Sequence, residues 1–338
     1  MPKKTKESKG KVRKANGGSL SDLRRYLNES DAVVLGIIVS DLHLRHKPAK
    51  ARSDDKPWYR AMLRALNEVR HVRDEVGGEV FYPGDIFHSP EEPVELVNFA
   101  IDNLLPGYGI PGQHDLPFHN YGDLHKTPYY TLVKAGIIRD LEAGAPCCFR
   151  KLDRSGRRYF VTGFPWQSTL KNNEDKDNFH FAMAHRYVWL GQHSFRGAPQ
   201  TEHIKSMKDF LATYDAVAFG DNHKGFSWRN AFNCGSLMRH NTDQMDYIPQ
   251  IGILLSDGHI FPYKMSYIEK DKWTVVQDVT QSGDVVSMDQ LIKKFKELSD
   301  EIVQFDTMLE SSIKNSNLTT SQQRILLSEI EKIRSSQK

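Results

Sequence analysis

Two short stretches pair a carboxylate with an imidazole two positions away: "VSDLHLRH" (39–46) holds Asp41 and His43, and "FGDNHKGF" (219–226) holds Asp221 and His223. Side chains at i and i+2 of an extended chain lie on one face, so each pair can reach one small object. Three more fragments offer similar donors: Asp85 in "PGDIFH", Gln113, His114 and Asp115 in "PGQHD", and His185 in "MAHR". Mixed carboxylate and imidazole donors suit manganese, iron or zinc, and two such ions bridged by one carboxylate make a centre for hydrolysing phosphate esters. Taken singly, each fragment reads as a surface turn or a solvated histidine. Their succession favours a metal site.

Each fragment follows an apolar run. "AVVLGIIVS" (32–40) precedes Asp41, "EVFYP" precedes Gly84-Asp85, "GYGIP" precedes "GQHD", "FHFAMA" precedes His185, and "DAVAF" precedes Gly220-Asp221. These patterns predict five strands, and the carboxyl ends of neighbouring strands form the rim where α/β sheets hold ligands. Helices are predicted between them, one opening at Pro57 with Trp58, Met62, Leu66 and Val69 on a single face, another over 91–105. "YIPQIGILLSDGHIFPYKM" predicts two strands turning at Ser256-Asp257-Gly258, and "KWTVVQDV" a further strand. From Ser287, where Ser287-x-x-Gln290 has capping-box form, the pattern is helical. Leu291, Phe295, Leu298, Ile302, Phe305 and Leu309 form a stripe that suits a partner helix and self-packing equally, and Ile325, Ile330 and Ile333 mark a second short helix.

Of the 338 residues, 39% are hydrophobic and 26% charged, the composition of a soluble globular chain without a bilayer-spanning stretch. The net charge of +3 hides an asymmetry, because Lys3, Lys4, Lys6, Lys9, Lys11, Arg13 and Lys14 face only Glu7 in the first sixteen residues. That basic tail, over 1–28, reads as disordered, free to touch nucleic-acid phosphates or simply to aid solubility. The cysteines, Cys147, Cys148 and Cys234, lack the spacing of a disulfide framework or zinc site, as in a reducing cytoplasm. Arg45, Lys47, Lys50 and Arg52 form either a DNA-backbone contact or a solvated basic loop, and Trp166 reads as core packing.

The ordered motifs resemble those of the calcineurin-like metallophosphoesterases, D-x-H, G-D, G-N-H-D/E, H and G-H-x-H, over about residues 33–240. "PGDIFHSPEEP", "VTGFPW", "MAHRYV" and "NCGSLMR" look most like the SbcD-type nuclease subunits of DNA double-strand-break repair. The resemblance implies a four-layer α/β sandwich of two mixed β-sheets flanked by helices over 29–270, a strand or linker over 271–286, and a helical extension over 287–338 that binds an SbcC-like ATPase. It implies a DNA exonuclease and endonuclease, with a phosphatase or nucleotide phosphodiesterase of the same fold, or a metal-impaired scaffold, as alternatives. A homodimer is compatible with it, as is a nucleoid-associated or host-cytoplasmic location. Carried onto this chain, it gives Asp41, His43 and His223 to a first ion, Asp85 to both, and Gln113, His185 and Asp221 to a second. His114 becomes the catalytic histidine, oriented by Asp115, with His88 just outside the ligands. Gln113 stands where the family has Asn and Asp221 where it has His. An oxygen-richer second site leans toward Mn2+ or Mg2+ rather than zinc.

Overall fold

The computed structural model describes residues 18–150, 156–191 and 199–274. Among these, the strands are β1 (Val34–Ile38), β2 (Glu79–Tyr82), β3 (Gly107–Gly109), β4 (Ile138–Asp140), β5 (Pro146–Arg150), β6 (Tyr159–Phe164), β7 (Phe179–His185), β8 (Ala216–Gly220), β9 (Phe226–Trp228), β10 (Ala231–Asn233), β11 (Gln250–Leu255) and β12 (Ile260–Lys264). The helices are α1 (Leu20–Glu29), α2 (Trp58–Val76), α3 (Val94–Asn103), α4 (Pro128–Lys134) and α5 (Lys208–Leu211).

The strands make two six-stranded sheets, ordered β12-β11-β1-β2-β3-β4 and β5-β6-β7-β8-β10-β9. In the first, β1 to β4 run parallel and β11 and β12 join antiparallel. In the second, β6, β7, β8 and β10 run parallel, with β5 and β9 antiparallel at the edges. The sheets face each other across Leu35, Ile38, Phe81, Phe181, Met183 and Phe232. Trp58, Met62, Leu66 and Val69 of α2 cover the first sheet's other face with α3 and α4, as the sequence period predicts. Ala182 and Ala184 of β7 pack with Phe210 and Leu211 on the outer face of the second. The result is a four-layer α/β sandwich, helices outside and two mixed sheets inside. No helix among the described residues is long and apolar enough to cross a membrane.

All five predicted strands occur, and so does the β11–β12 hairpin. The five strand ends, however, come from both sheets: β1, β2 and β3 from one, β7 and β8 from the other. The reason lies in β7, where Phe179, Phe181 and Met183 fill the space between sheets while the small Ala182 and Ala184 face outward. Such a strand is buried on both faces and belongs to a second layer.

Residues 20–28, assigned by the sequence reading to the basic tail, lie in α1; Ser19 caps it by accepting from the Asp22 N–H, and Leu23 is buried. Arg52 is also corrected. It is not a DNA contact of a solvated loop but 3% exposed, held between Asp55 at 2.5 Å and Asp271 at 2.7 Å and faced by the rings of Trp58 and Trp273. Arg239 reaches the same Asp271 at 2.8 Å. The expected strand "KWTVVQDV" falls outside the described residues from 275 onward, as do the rest of the 271–286 segment and the 287–338 helical extension.

Asp271→Ala leaves two buried guanidinium groups short of a carboxylate and should cost about 3–5 kcal/mol. Thermal denaturation reads this directly, and an unchanged midpoint would mean the buried pairs contribute nothing.

Candidate metal centre

Asp41 and His43 follow β1, Asp85 follows β2 and Asp221 follows β8, and all four adopt left-handed backbone conformations, with φ of 50°, 45°, 52° and 83°. Asp and His tolerate this region better than most residues, and a cluster of such conformations is typical of functional sites. Backbone hydrogen bonds from Asp41 N to Gly84 O (3.2 Å) and from His43 N to Asp85 O (3.0 Å) lace the first two turns together. The Asp221 N–H donates to Asp41 Oδ1 at 3.0 Å and so ties the second sheet to the first.

The donors gather in two overlapping sets, Asp41–His43–His223 and Asp41–Asp85–His185, each with ligand atoms within 4.8 Å of one another. His43 and His223 place their Nε2 atoms 2.9 Å apart, each 3.9 Å from Asp41 Oδ1. Asp85 Oδ2 lies 3.7 Å from His43 Nε2 and 3.4 Å from His185 Nε2, between the two imidazoles. His185 donates from Nδ1 to the Pro83 carbonyl at 2.6 Å, which leaves Nε2 to face Asp85. Asp41 Oδ2, Asp85 Oδ2, His185 Nε2 and Gln113 Oε1 are buried without a hydrogen-bond partner. Such orphaned buried polar atoms are costly unless a cation meets them, displacing the proton from His185, so the donor set fits divalent metal.

Gln113 and Asp221, the two departures from the family pattern, touch. Gln113 Nε2 donates to Asp221 Oδ1 at 2.7 Å, which turns its amide oxygen away from Asp221. Asp221 lies outside the two groups drawn within 4.8 Å, but its carboxylate accepts from the Gln113 amide and its charge raises both Asp41 and His185.

Burial raises Asp41, His185 pulls it back, and Asp85 repels it, leaving its carboxyl at about 8. Burial pulls His185 down, but Asp85, Asp41 and Asp221 together carry it up to about 10. Asp85 is pushed up by burial yet held below the usual carboxylate range by His185, His43 and His114. His43 and His223 are both lowered, chiefly by burial. The metal-free centre therefore stores protons that a cation must displace.

His114 donates from Nδ1 to the His88 carbonyl at 2.9 Å, so its Nε2 is the atom free to exchange a proton. Asp115 does not orient His114. It accepts backbone N–H groups from Phe87 and Gly112 at 3.0 Å and Ile86 at 3.3 Å, locking the turn after β2 to the Gln113 turn. The His88 ring stacks on His114, 5.5 Å between centroids, and joins His43 and His114 in a third group of converging nitrogens. Sequence reasoning missed His240, which is buried with both ring nitrogens unpaired, its centroid 6.2 Å from His88 and 6.4 Å from His43. Only its position after "NCGSLMR" could have drawn attention to it. Lys47 and Lys50 are exposed, whereas Arg45 is half-buried.

The calcineurin-like phosphoesterase model matches residues 37–225, more than half of the sequence. The chain belongs to the calcineurin-like phosphoesterases. It is 28% identical over 86 residues to the DNA double-strand break repair protein Mre11 of Methanococcus maripaludis, covering 23% of this chain and 22% of that protein. The match thus spans about a fifth of that relative's length. Among solved structures, the calcineurin-like phosphoesterase YfkN from Bacillus subtilis aligns with a TM-score of 0.44 and 11% identity, over 71% of this chain and 93% of that one. The sulfate thiohydrolase SoxB of Thermus thermophilus aligns at 0.41 and 10%, over 72% and 58%. As a member of this family the phosphoesterase is a metal-dependent hydrolase, and its clustered Asp and His groups are candidate donors for the metal.

Gly112 leaves the space that Asp85 and His185 face, since a Cβ built there meets Asp85 Oδ1 and comes within 2.6 Å of His185 Nε2. Gly112→Ala should therefore lower metal content measured by mass spectrometry, and full occupancy would place the metal elsewhere. Titration of the metal-free phosphoesterase with Mn2+ should release protons. Because the metal-free state binds more protons below about 8 for Asp41 and about 10 for His185, affinity should rise with pH through that range. Calorimetry in buffers of different ionisation enthalpy measures the release, and pH-independent affinity would contradict it.

Proposed function

We propose that this phosphoesterase is a metal-dependent DNA nuclease, hydrolysing phosphodiesters at a binuclear centre with exonuclease and endonuclease action. The observation that carries the hydrolytic reading is Asp85 Oδ2 standing between His43 Nε2 and His185 Nε2, as a carboxylate shared by two ions must. DNA as substrate draws support from the similarity to a double-strand break repair protein and from the SbcD-like segments around Asp85, His185 and Cys234. Asp41, His43 and His223 would hold one ion, Gln113, His185 and Asp221 the other, and Asp85 both. The Gln113 amide donates to Asp221, so the two departures from the family pattern would act on the second ion together. This mixture of oxygen and imidazole donors favours manganese.

Divalent ions in these positions supply Lewis-acid stabilisation of the phosphoryl oxygens and activation of water. The protein's own groups do the rest. His114, fixed through Nδ1 by the His88 carbonyl, presents Nε2 as the atom that would pass a proton to the leaving oxygen. Asp115 keeps the His114 turn in register with Asp85, and Lys47 and Lys50 offer exposed charge to the DNA backbone.

A nuclease assay on linear and hairpin DNA with Mn2+, with and without an SbcC-like ATPase, tests the proposal. His114→Ala should bind metal as the wild type does and lose about 10²- to 10⁴-fold in cleavage. Equal cleavage by His114→Ala and the wild type would overturn its role. Hydrolysis of small phosphate esters with no cleavage of any DNA would overturn the substrate.

A further inference from the structure

Trp166 follows β6 and separates two cavities, one of about 310 Å³ against His185 and one of about 360 Å³ against Leu116 and His119. Both cavities share Pro165 to Ser168 as a wall. The indole is half-buried, packs by one part against the first core as its reading as core packing expects, and stands 6.4 Å from the His185 ring and 6.4 Å from the His119 ring, centroid to centroid. Its backbone N–H donates to Pro111 O at 3.3 Å, and the Ser168 N–H donates to Pro165 O at 3.0 Å around a left-handed Gln167 (φ 62°). The segment is thus built as a fixed turn beside the Gln113 loop. Among the described residues, the buried indole Nε1 and the buried Ser168 hydroxyl have no hydrogen-bond partner.

Resting on the nuclease reading, we infer that this cleft receives an unpaired nucleobase of the strand whose phosphate lies at the metal centre. Three features select that occupant. His185 lines the first cavity while its buried ring lies 3.4 Å from Asp85 on one side and 6.4 Å from the Trp166 ring on the other, so the indole stands one imidazole away from the metal centre. Phe164, Leu170 and Ala184 give it apolar walls, while Gln167, Ser168 and Arg186 give it a polar edge. A nucleobase has the same division, two π faces and a hydrogen-bonding rim, and aromatic stacking accepts any base. A paired base cannot enter without leaving its stack, so the cleft selects single strands and frayed or flipped positions over intact duplex.

Binding of uncleavable phosphorothioate oligonucleotides tests this on the full chain. The wild type should bind single-stranded oligothymidylate at least about tenfold more tightly than an abasic strand with the same phosphates or a duplex of equal length, the scale of one base–aromatic stack. Trp166→Ala should bind thymidylate and abasic strands alike, and Trp166→Phe should restore most of the difference. If the alanine variant does not fold, Trp166→Leu keeps apolar volume without a π face and gives the same comparison. A wild type that binds both strands equally, or a Trp166→Ala variant that keeps the preference, overturns the cleft while leaving the nuclease reading intact. A wild type that binds no DNA but hydrolyses bis(4-nitrophenyl) phosphate overturns both.

Discussion

Asp85 has no exposed surface, and it lies at the seam between two sheets. Its Oδ2 faces imidazoles carried by strands of different layers, and its Oδ1 accepts the His114 backbone N–H at 3.0 Å. One carboxylate therefore fixes the separation of the two donor sets and the position of the His114 turn. Gly84 and Gly112 accompany it because a side chain at either would occupy the space of His185. The seam has to be packed as closely as a core and yet remain polar, a combination that only mutual pairing of charges permits.

That pairing explains the opposed tendencies of the neighbouring groups. Burial drives His43 toward neutrality, whereas the carboxylates around His185 favour its charged form. Two imidazoles at similar depth thus differ in protonation because around His43 burial and the nearby His223, His114 and His240 outweigh Asp85, whereas around His185 Asp85, Asp41 and Asp221 together outweigh burial. The Gln113–Asp221 contact belongs to the same balance: a longer amide and a shorter acid meet each other across the sheets.

Much of this was legible in the sequence because the signals were local. An apolar run ending in Asp-x-His gives both a strand and its direction, and α2 announces its buried face through Trp58, Met62, Leu66 and Val69. What failed depended on distant partners. Arg52 looks like any basic loop residue until Asp271, more than two hundred positions away, closes on it. Asp115 is adjacent to His114 in sequence but turns to the backbone of Phe87 and Gly112. Short strands such as β4, β9 and β10, three residues each, carry too little pattern to stand out from turns. His240 is invisible as a lone histidine and becomes notable only when its buried, unpaired ring is seen beside His88.

The left-handed turns at Asp41, His43, Asp85 and Asp221 have a thermodynamic meaning. Glycine would occupy each with less backbone strain, and an apolar neighbourhood without charges would pack with less desolvation. The folded chain would thus be more comfortable without its own reactive centre. Folding energy accumulated in three apolar layers is what holds these four residues in a conformation they would not choose, so the size of the scaffold is itself a requirement of the chemistry.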